Sequence, residues 1–204
     1  ILFRKQIVKL IKYIELKIMN YYSKILLVSN DELNSISQDS IYRKSSILPF
    51  MIEQDIIIKN ELKDSEYNFG LLAPNNRYNQ EGLEKFLEIY SDNLKDISFL
   101  IAGGLANNAR LVNLAKNITK KTEIIKNINN VNSFYNNISF SICPYLRGSG
   151  IKIKVIESMS RGVLPLGNEI AFQGLQDYVN TVSENRCIFS LNENRGCLPD
   201  IISI

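Results

Sequence analysis

Apolar residues recur at helical spacing through the first 22 positions, at Phe3, Ile7, Leu10, Ile11, Ile14, Ile18 and Tyr21, with Lys5, Lys9 and Lys12 on the other side. The pattern predicts an amphipathic helix over 1–22, packed on its own domain. A basic helix resting on an anionic membrane surface is the sharper alternative. Leu2, Leu16 and Met19 fall on the far side and blur both readings. KILLVS (24–29) is an apolar run of strand length, and Asn30 or Asp31 is placed to cap the helix after it. The polar run KNELKDSEYN (59–68) is a solvated connection.

From Tyr67 onward strand and helix patterns alternate. YNFGLLA is a strand, followed by a helix with Leu83, Phe86, Leu87 and Tyr90 inward. ISFLIAGG (97–104) leaves at a glycine pair, Gly103 and Gly104, into a helix carrying Leu111, Val112 and Leu114. EIIKNI (123–128) predicts a third strand, VNSFYNN a short helix, ISFSICPY (138–145) a fourth strand and VLPLG (163–167) a fifth. Strand–helix units of this length imply parallel pairing through right-handed crossovers. The fold class is therefore α/β, a Rossmann-like doubly wound parallel sheet, whose ligands bind beyond the carboxyl ends of the strands.

Composition narrows the chemistry. The 204 residues suffice for one large domain, or for one domain and part of another. A formal charge of +3 is too small to argue for nucleic acid, yet suits a basic pocket for diphosphates. With no histidine, His-based acid–base catalysis is excluded and a zinc site is not expected. Cys143, Cys187 and Cys197 lack metal-ligand spacing, and their odd number favours reduced thiols, hence a cytoplasmic protein. No uninterrupted apolar run is long enough to span a bilayer. The chain opens on Ile1 inside a helical pattern and ends at LPDIISI without a terminating element, so a piece of a longer protein is expected.

The richest stretch is PYLRGSGIKIKVIESMSRGVLPLGNEIAFQG (144–174). Gly148 and Gly150 bracket Ser149, so the backbone can approach a bound group without a Cβ in the way. A helix is predicted from Gly150 or Ile151, its free N–H groups favouring an anion. Helical spacing places Gly150, Lys154, Glu157 and Arg161 on one face and Ile151, Val155 and Met159 on an apolar stripe, with Ile153 and Ile156 on the buried side. Lys152 is expected to point elsewhere. The layout suits a sugar nucleotide, with turn amides and Lys154 at the diphosphate and Glu157 accepting from a ribose diol. The plainer reading of Lys154 and Glu157 is a helical ion pair worth a few tenths of a kcal/mol.

The same stretch resembles the donor-binding segment of retaining group 1 (family four) glycosyltransferases, which have the GT-B fold. The resemblance rests on Pro144, Gly148, Gly150, Lys152, Lys154, Glu157, Met159, Gly162 and Pro165, then Ala171, Gln173, Gly174 and Leu175. Of two glutamates at a fixed spacing in this class, Glu157 matches the second, which holds ribose hydroxyls; Ser149 stands at the first, and Ser158 and Gln173 are milder departures. KILLVS with its following helix resembles the end of the acceptor domain, and SSILPFMI (45–52) falls at the interdomain crossover. The resemblance thus implies residues 1–50 as the end of an N-terminal acceptor domain and 51–204 as the nucleotide-sugar-binding domain, with the boundary near 46–60.

It further implies a UDP- or GDP-sugar donor, no cofactor or metal, and a glycan or lipid-linked acceptor in cell-surface polysaccharide synthesis. Transfer would proceed with retention, and no catalytic nucleophile is nominated. Gly148, Ser149, Gly150, Ile151, Lys154 and Glu157 are the donor-binding candidates. Weaker ones are Arg77 and Asn79 in the first loop, where Leu71 replaces the usual arginine, then Arg147 beside the turn, Asn129 after the third strand and Glu169 after the fifth. Gly103 and Gly104 either line the nucleotide cleft or simply make a turn. The rival reading is a non-catalytic GT-B-like domain that binds a nucleotide or a partner subunit, and a sugar-nucleotide epimerase is a distant third. Peripheral contact of the first helix with the inner membrane surface completes the expected partners.

Overall fold

The computed structural model describes residues 2–48 and 65–175, and the chain divides into two compact units, Ile1–Met51 and Ile52–Ile204. The expected crossover (45–52) is described only as far as residue 48, and the rest of it lies outside the described residues, as do most of the expected boundary region at 46–60 and of the polar connection at 59–68.

In the first unit α1 (Leu2–Tyr21) precedes β1 (Ile25–Leu27), α2 (Asn30–Asn34), α3 (Asp39–Tyr42) and β2 (Ser45–Ile47). β1 and β2 pair in parallel, Leu26 opposite Ser46. Ser29, not Asn30 or Asp31, caps α2: its Oγ accepts from the Glu32 N–H at 3.2 Å, while Glu32 Oε2 accepts from the Val28 N–H at 3.0 Å. These reciprocal bonds satisfy two backbone donors at one helix start. The length of α1 agrees with its pattern, but its packing does not. Ile7, Leu10, Ile11, Ile14 and Ile18 are 41–58% exposed, and the half-buried positions are Leu16 and Met19 on the opposite side. Periodicity marks which positions share a face; it leaves open which face the unit covers.

The second unit is a five-stranded parallel sheet. Its elements are β3 (Tyr67–Leu72), α4 (Arg77–Ile89), β4 (Ser98–Ala102), α5 (Ala109–Ile118), β5 (Lys121–Ile125), α6 (Val131–Asn136), β6 (Ile138–Cys143), α7 (Ile153–Ser160) and β7 (Leu164–Gly167). A 3-10 turn, Gly104–Asn107, joins β4 to α5. The strand order is β5-β4-β3-β6-β7, so the direction of winding reverses between β3 and β6. One face carries Phe69, Leu71, Phe99 and Ile101 against Leu83, Phe86 and Leu111, and extends to Ile142, Val155 and Leu166. The other carries Leu100, Ala102 and Ile138 against Phe134 and Tyr135. Burial on both faces is what a parallel sheet requires.

Two boundaries differ from the pattern. β5 runs over Lys121–Ile125 instead of 123–128, because its register follows β4 from Ser98↔Lys121 to Ala102↔Ile125; an edge strand ends where its neighbour ends. α7 begins at Ile153 instead of Gly150 or Ile151, because Gly148 and Gly150 take φ of 138° and 70°, outside the helical region. Gly150 therefore does not share the helix face of Lys154, Glu157 and Arg161. Ile153, expected on the buried side, is 54% exposed.

Glycines set how closely the layers approach the strand ends. A Cβ on Gly82 of α4 would lie 1.8 Å from the Pro144 carbonyl oxygen just past β6. Gly82→Ala is expected to destabilise the fold by about 1–3 kcal/mol through overpacking, against the gain of about 1 kcal/mol that helix propensity alone predicts. Thermal unfolding decides: a raised midpoint would refute the close α4–β6 approach.

The amino end of the sheet holds a buried phenol. Tyr67 Oη donates to Glu123 Oε2 at 2.5 Å, and Lys121 Nζ sits 3.0 Å from Glu66 Oε1. Burial, then the bonds to Glu123 and Glu66, push the Tyr67 phenol from 10.0 up to about 12. A raised acid keeps its proton longer in the folded state, so this stabilising contribution is complete below pH 10 and is lost as pH rises through about 12. Tyr67→Phe is expected to flatten that part of the alkaline loss, read as urea midpoints at pH 9 and pH 11 beside wild type; equal slopes would contradict it.

Candidate functional site

The winding reversal leaves a crevice at the carboxyl ends of β3 and β6, the place where open α/β sheets bind ligands. A cavity of about 560 Å³ occupies it. Leu71 to Pro74 line it from β3 and the loop after it, Ser141 to Tyr145 from β6 and its end, Asn76, Tyr78 and Asn79 from the start of α4, Arg147, Gly148, Ile151 and Lys152 from the turn before α7, and Ile153 and Lys154 from its first turn.

Local bonds hold each wall. Asn76 Oδ1 accepts from the Asn79 N–H at 3.0 Å and caps α4, while Asn79 Nδ2 donates to the Pro74 carbonyl at 3.0 Å. Behind this loop, a Cβ on Gly104 would meet the Asn75 nitrogen at 2.8 Å. Gly103 and Gly104 thus brace the loop from behind and do not line the cavity. On the opposite wall, Asn168 after β7 makes two hydrogen bonds to the Tyr145 backbone: Oδ1 accepts from its N–H at 3.2 Å and Nδ2 donates to its carbonyl at 2.6 Å. Asn168 is buried, and the pair fixes the path of the chain into the glycine turn.

The electrostatics are one-sided. Three cations, Arg147, Lys152 and Lys154, line the cavity, and no Asp or Glu is among its lining residues. The carboxylates stand outside it. Glu81 on α4 accepts from Arg147 Nη2 at 2.5 Å and from Arg77 Nε at 2.6 Å, and these bonds, that of Arg77 foremost, hold its carboxyl below the usual range. Glu157 Oε2 accepts from Lys154 Nζ at 2.5 Å and from Tyr135 Oη at 3.4 Å, and its Oε1 lies 3.8 Å from Arg161 Nη1. Arg161 in turn donates to Asn132 Oδ1 at 2.9 Å and lies over the Tyr135 ring. Burial, then the charge of Glu157, raises the Tyr135 phenol well above its ordinary value. Burial also lowers the Lys152 ammonium and pushes the Cys143 thiol up to about 12, which keeps that cysteine a protonated wall group.

The predicted residues separate into three groups. Arg147, Gly148, Ile151, Lys154 and Asn79 converge on the cavity, and Ser149 and Gly150 complete the turn that bounds it. Glu157 lies one helical turn away from the lining, beside α6. Arg77 is turned outward to Glu81, and Asn129 and Glu169 are exposed and outside the lining set. Sequence reasoning missed Lys152, Tyr78, Tyr145 and Asn168. Lys152 carried a signal, since it is one of the matched positions, but extrapolating the helix back to Gly150 turned it away.

Comparison with known proteins is consistent with this geometry. The model of the family "Glycosyl transferases group 1" matches residues 68–193. No curated protein matches the chain. Among solved structures, a glycosyltransferase from Rickettsia africae ESF-5 superposes with a TM-score of 0.59 at 17% identity, over 85% of this chain and 52% of that one. A variant of S. aureus TarM in complex with fondaparinux, alpha-GlcNAc-glycerol and UDP gives 0.57 at 14% identity, over 79% of this chain and 32% of that one. A variant O-GlcNAc transferase from Thermobaculum terrenum gives 0.50 at 14% identity, over 83% and 35%. The chain thus spans about half the length of the first of these and about a third of the others. At such identities the superpositions speak for the Rossmann-like half of a GT-B fold. With the family model matched across the whole sheet and its crevice, the chain belongs to the group 1 glycosyltransferases.

Proposed function

We propose that this chain is the donor-binding half of a retaining glycosyltransferase that takes a UDP- or GDP-sugar. The observation that carries the reading is the cavity between β3 and β6, walled by three cations and a glycine turn, with its carboxylates held outside. A diphosphate brings two to three negative charges, which such a wall offsets without a metal ion. Glu157, fixed between Lys154 and Arg161, is suited to accept from a ribose diol beyond the phosphates. In the reaction the bond from the anomeric carbon to the phosphate oxygen breaks and the nucleoside diphosphate leaves. An acceptor hydroxyl passes its proton to the departing diphosphate and bonds the same face of that carbon. The acceptor in this proposal is a glycan or lipid-linked glycan of the cell surface, and the place of action is the cytoplasm or the inner face of the membrane. Among the described residues no helix is long and apolar enough to cross a membrane.

Ser149, standing where the family's first glutamate falls, favours one second reading: a domain that binds nucleotide without transferring sugar. Two measurements test the pair. UDP or GDP at a hundred times its dissociation constant is expected to stabilise the chain by about 2.7 kcal/mol, with ADP and CMP far less effective. Glu157→Ala is expected to weaken that nucleotide at least tenfold. Absence of any nucleotide shift would sink the donor-site reading.

Because the chain spans about half of a related enzyme, these 204 residues are expected to bind donor without turnover. Robust transfer by them alone would contradict the split between donor and acceptor halves. Donor hydrolysis or transfer by a form carrying both halves, lost in Glu157→Ala, would exclude the binding-only reading.

A further inference from the structure

The three cavity cations differ in what already neutralises them. Arg147 is bonded to Glu81 and Lys154 to Glu157, each at 2.5 Å. Among the described residues Lys152 has no carboxylate partner. Its ammonium donates to the carbonyls of Gly150 at 2.7 Å and Ser149 at 3.3 Å and stands 5.8 Å from the centre of the Tyr145 ring. These are neutral acceptors around a partly desolvated charge, whereas the other two cations would have to share or leave a charged partner to meet a ligand.

An anion entering the cleft therefore gains most from Lys152. The side chain is also well placed to move. Its bonds close back on the glycine turn at positions two and three residues before it, so rotation of the flexible stem releases the ammonium without breaking an ion pair. A Cβ at Gly148 would lie 3.4 Å from the Lys152 Cε, so the stem runs alongside the glycine turn.

We propose that Lys152 is the principal phosphate ligand of the cleft and the residue that distinguishes a nucleoside diphosphate from its nucleoside. On binding, its ammonium passes from the neutral Ser149 and Gly150 carbonyls to a phosphate oxygen, an acceptor that is itself charged. Lys154 then serves chiefly to hold Glu157. This inference rests on the donor-site reading above and adds which cation does the work.

The test is a titration of the full chain with UDP, GDP, uridine, guanosine and inorganic pyrophosphate. Lys152→Met keeps the stem over Tyr145 and removes the charge. It is expected to weaken the preferred diphosphate and pyrophosphate at least tenfold, while the matching nucleoside changes less than twofold. Lys152→Gln, a second variant in case the first folds poorly, is expected to behave alike, and Arg77→Met is expected to match wild type. If wild type binds diphosphates and Lys152→Met binds them equally well, the inference fails and the donor-site reading stands. If the variant loses nucleoside and diphosphate alike, Lys152 shapes the turn only, and the inference also fails. If wild type binds none of these ligands, both readings fall together.

Discussion

Parallel pairing of β3 with β6, in register at Phe69–Phe140 and Gly70–Ser141, decides where everything else at the site can be. These strands are neighbours in the sheet but are separated in the chain by two complete strand–helix units. Winding therefore proceeds outward from β3 in one direction and from β6 in the other. The connections leaving the two carboxyl ends must diverge, and among the described residues no helix connects one to the other across the gap. A crevice at that point is a consequence of topology. Its walls are then shaped by local chemistry: Gly82 lets α4 press on Pro144, Gly103 and Gly104 brace the first loop, and Asn168 ties down Tyr145.

Charge is sorted about that crevice in a consistent way. The three cations face it, and the carboxylate partners of two of them, Glu81 for Arg147 and Glu157 for Lys154, are not among its lining residues. Each pair leaves a cation, and no carboxylate, among the residues that line the cavity. Lys152, without such a partner among the described residues, donates to the turn carbonyls, and burial lowers its ammonium.

Much of this was legible in the residue pattern. ISFLIAGG and ISFSICPY read as strands, Leu83, Phe86 and Leu87 fell on one helix face, and Gly148 and Gly150 announced a turn; the structure has β4 and β6 within those runs, the buried face and the turn. The parallel Rossmann-like sheet followed from the alternation. What escaped depends on contacts remote in sequence. No pattern shows that Asn168 bonds a backbone twenty-three residues earlier, that β5 must end with β4, or which side of α1 its unit covers. Lys152 was lost for a local reason. Two glycines with positive φ break the helical extrapolation, and a side chain two residues from Lys154 comes to share its cavity after all.

The central claim is that the cleft between β3 and β6 receives the diphosphate of a nucleotide. A crystal structure of the chain grown with saturating UDP or GDP tests it most directly. The account predicts phosphate oxygens within hydrogen-bond distance of the backbone N–H groups of residues 148–151 and of the Lys152 ammonium, with the ribose toward Glu157. A nucleotide bound elsewhere, or a cleft left empty at saturation, would contradict it.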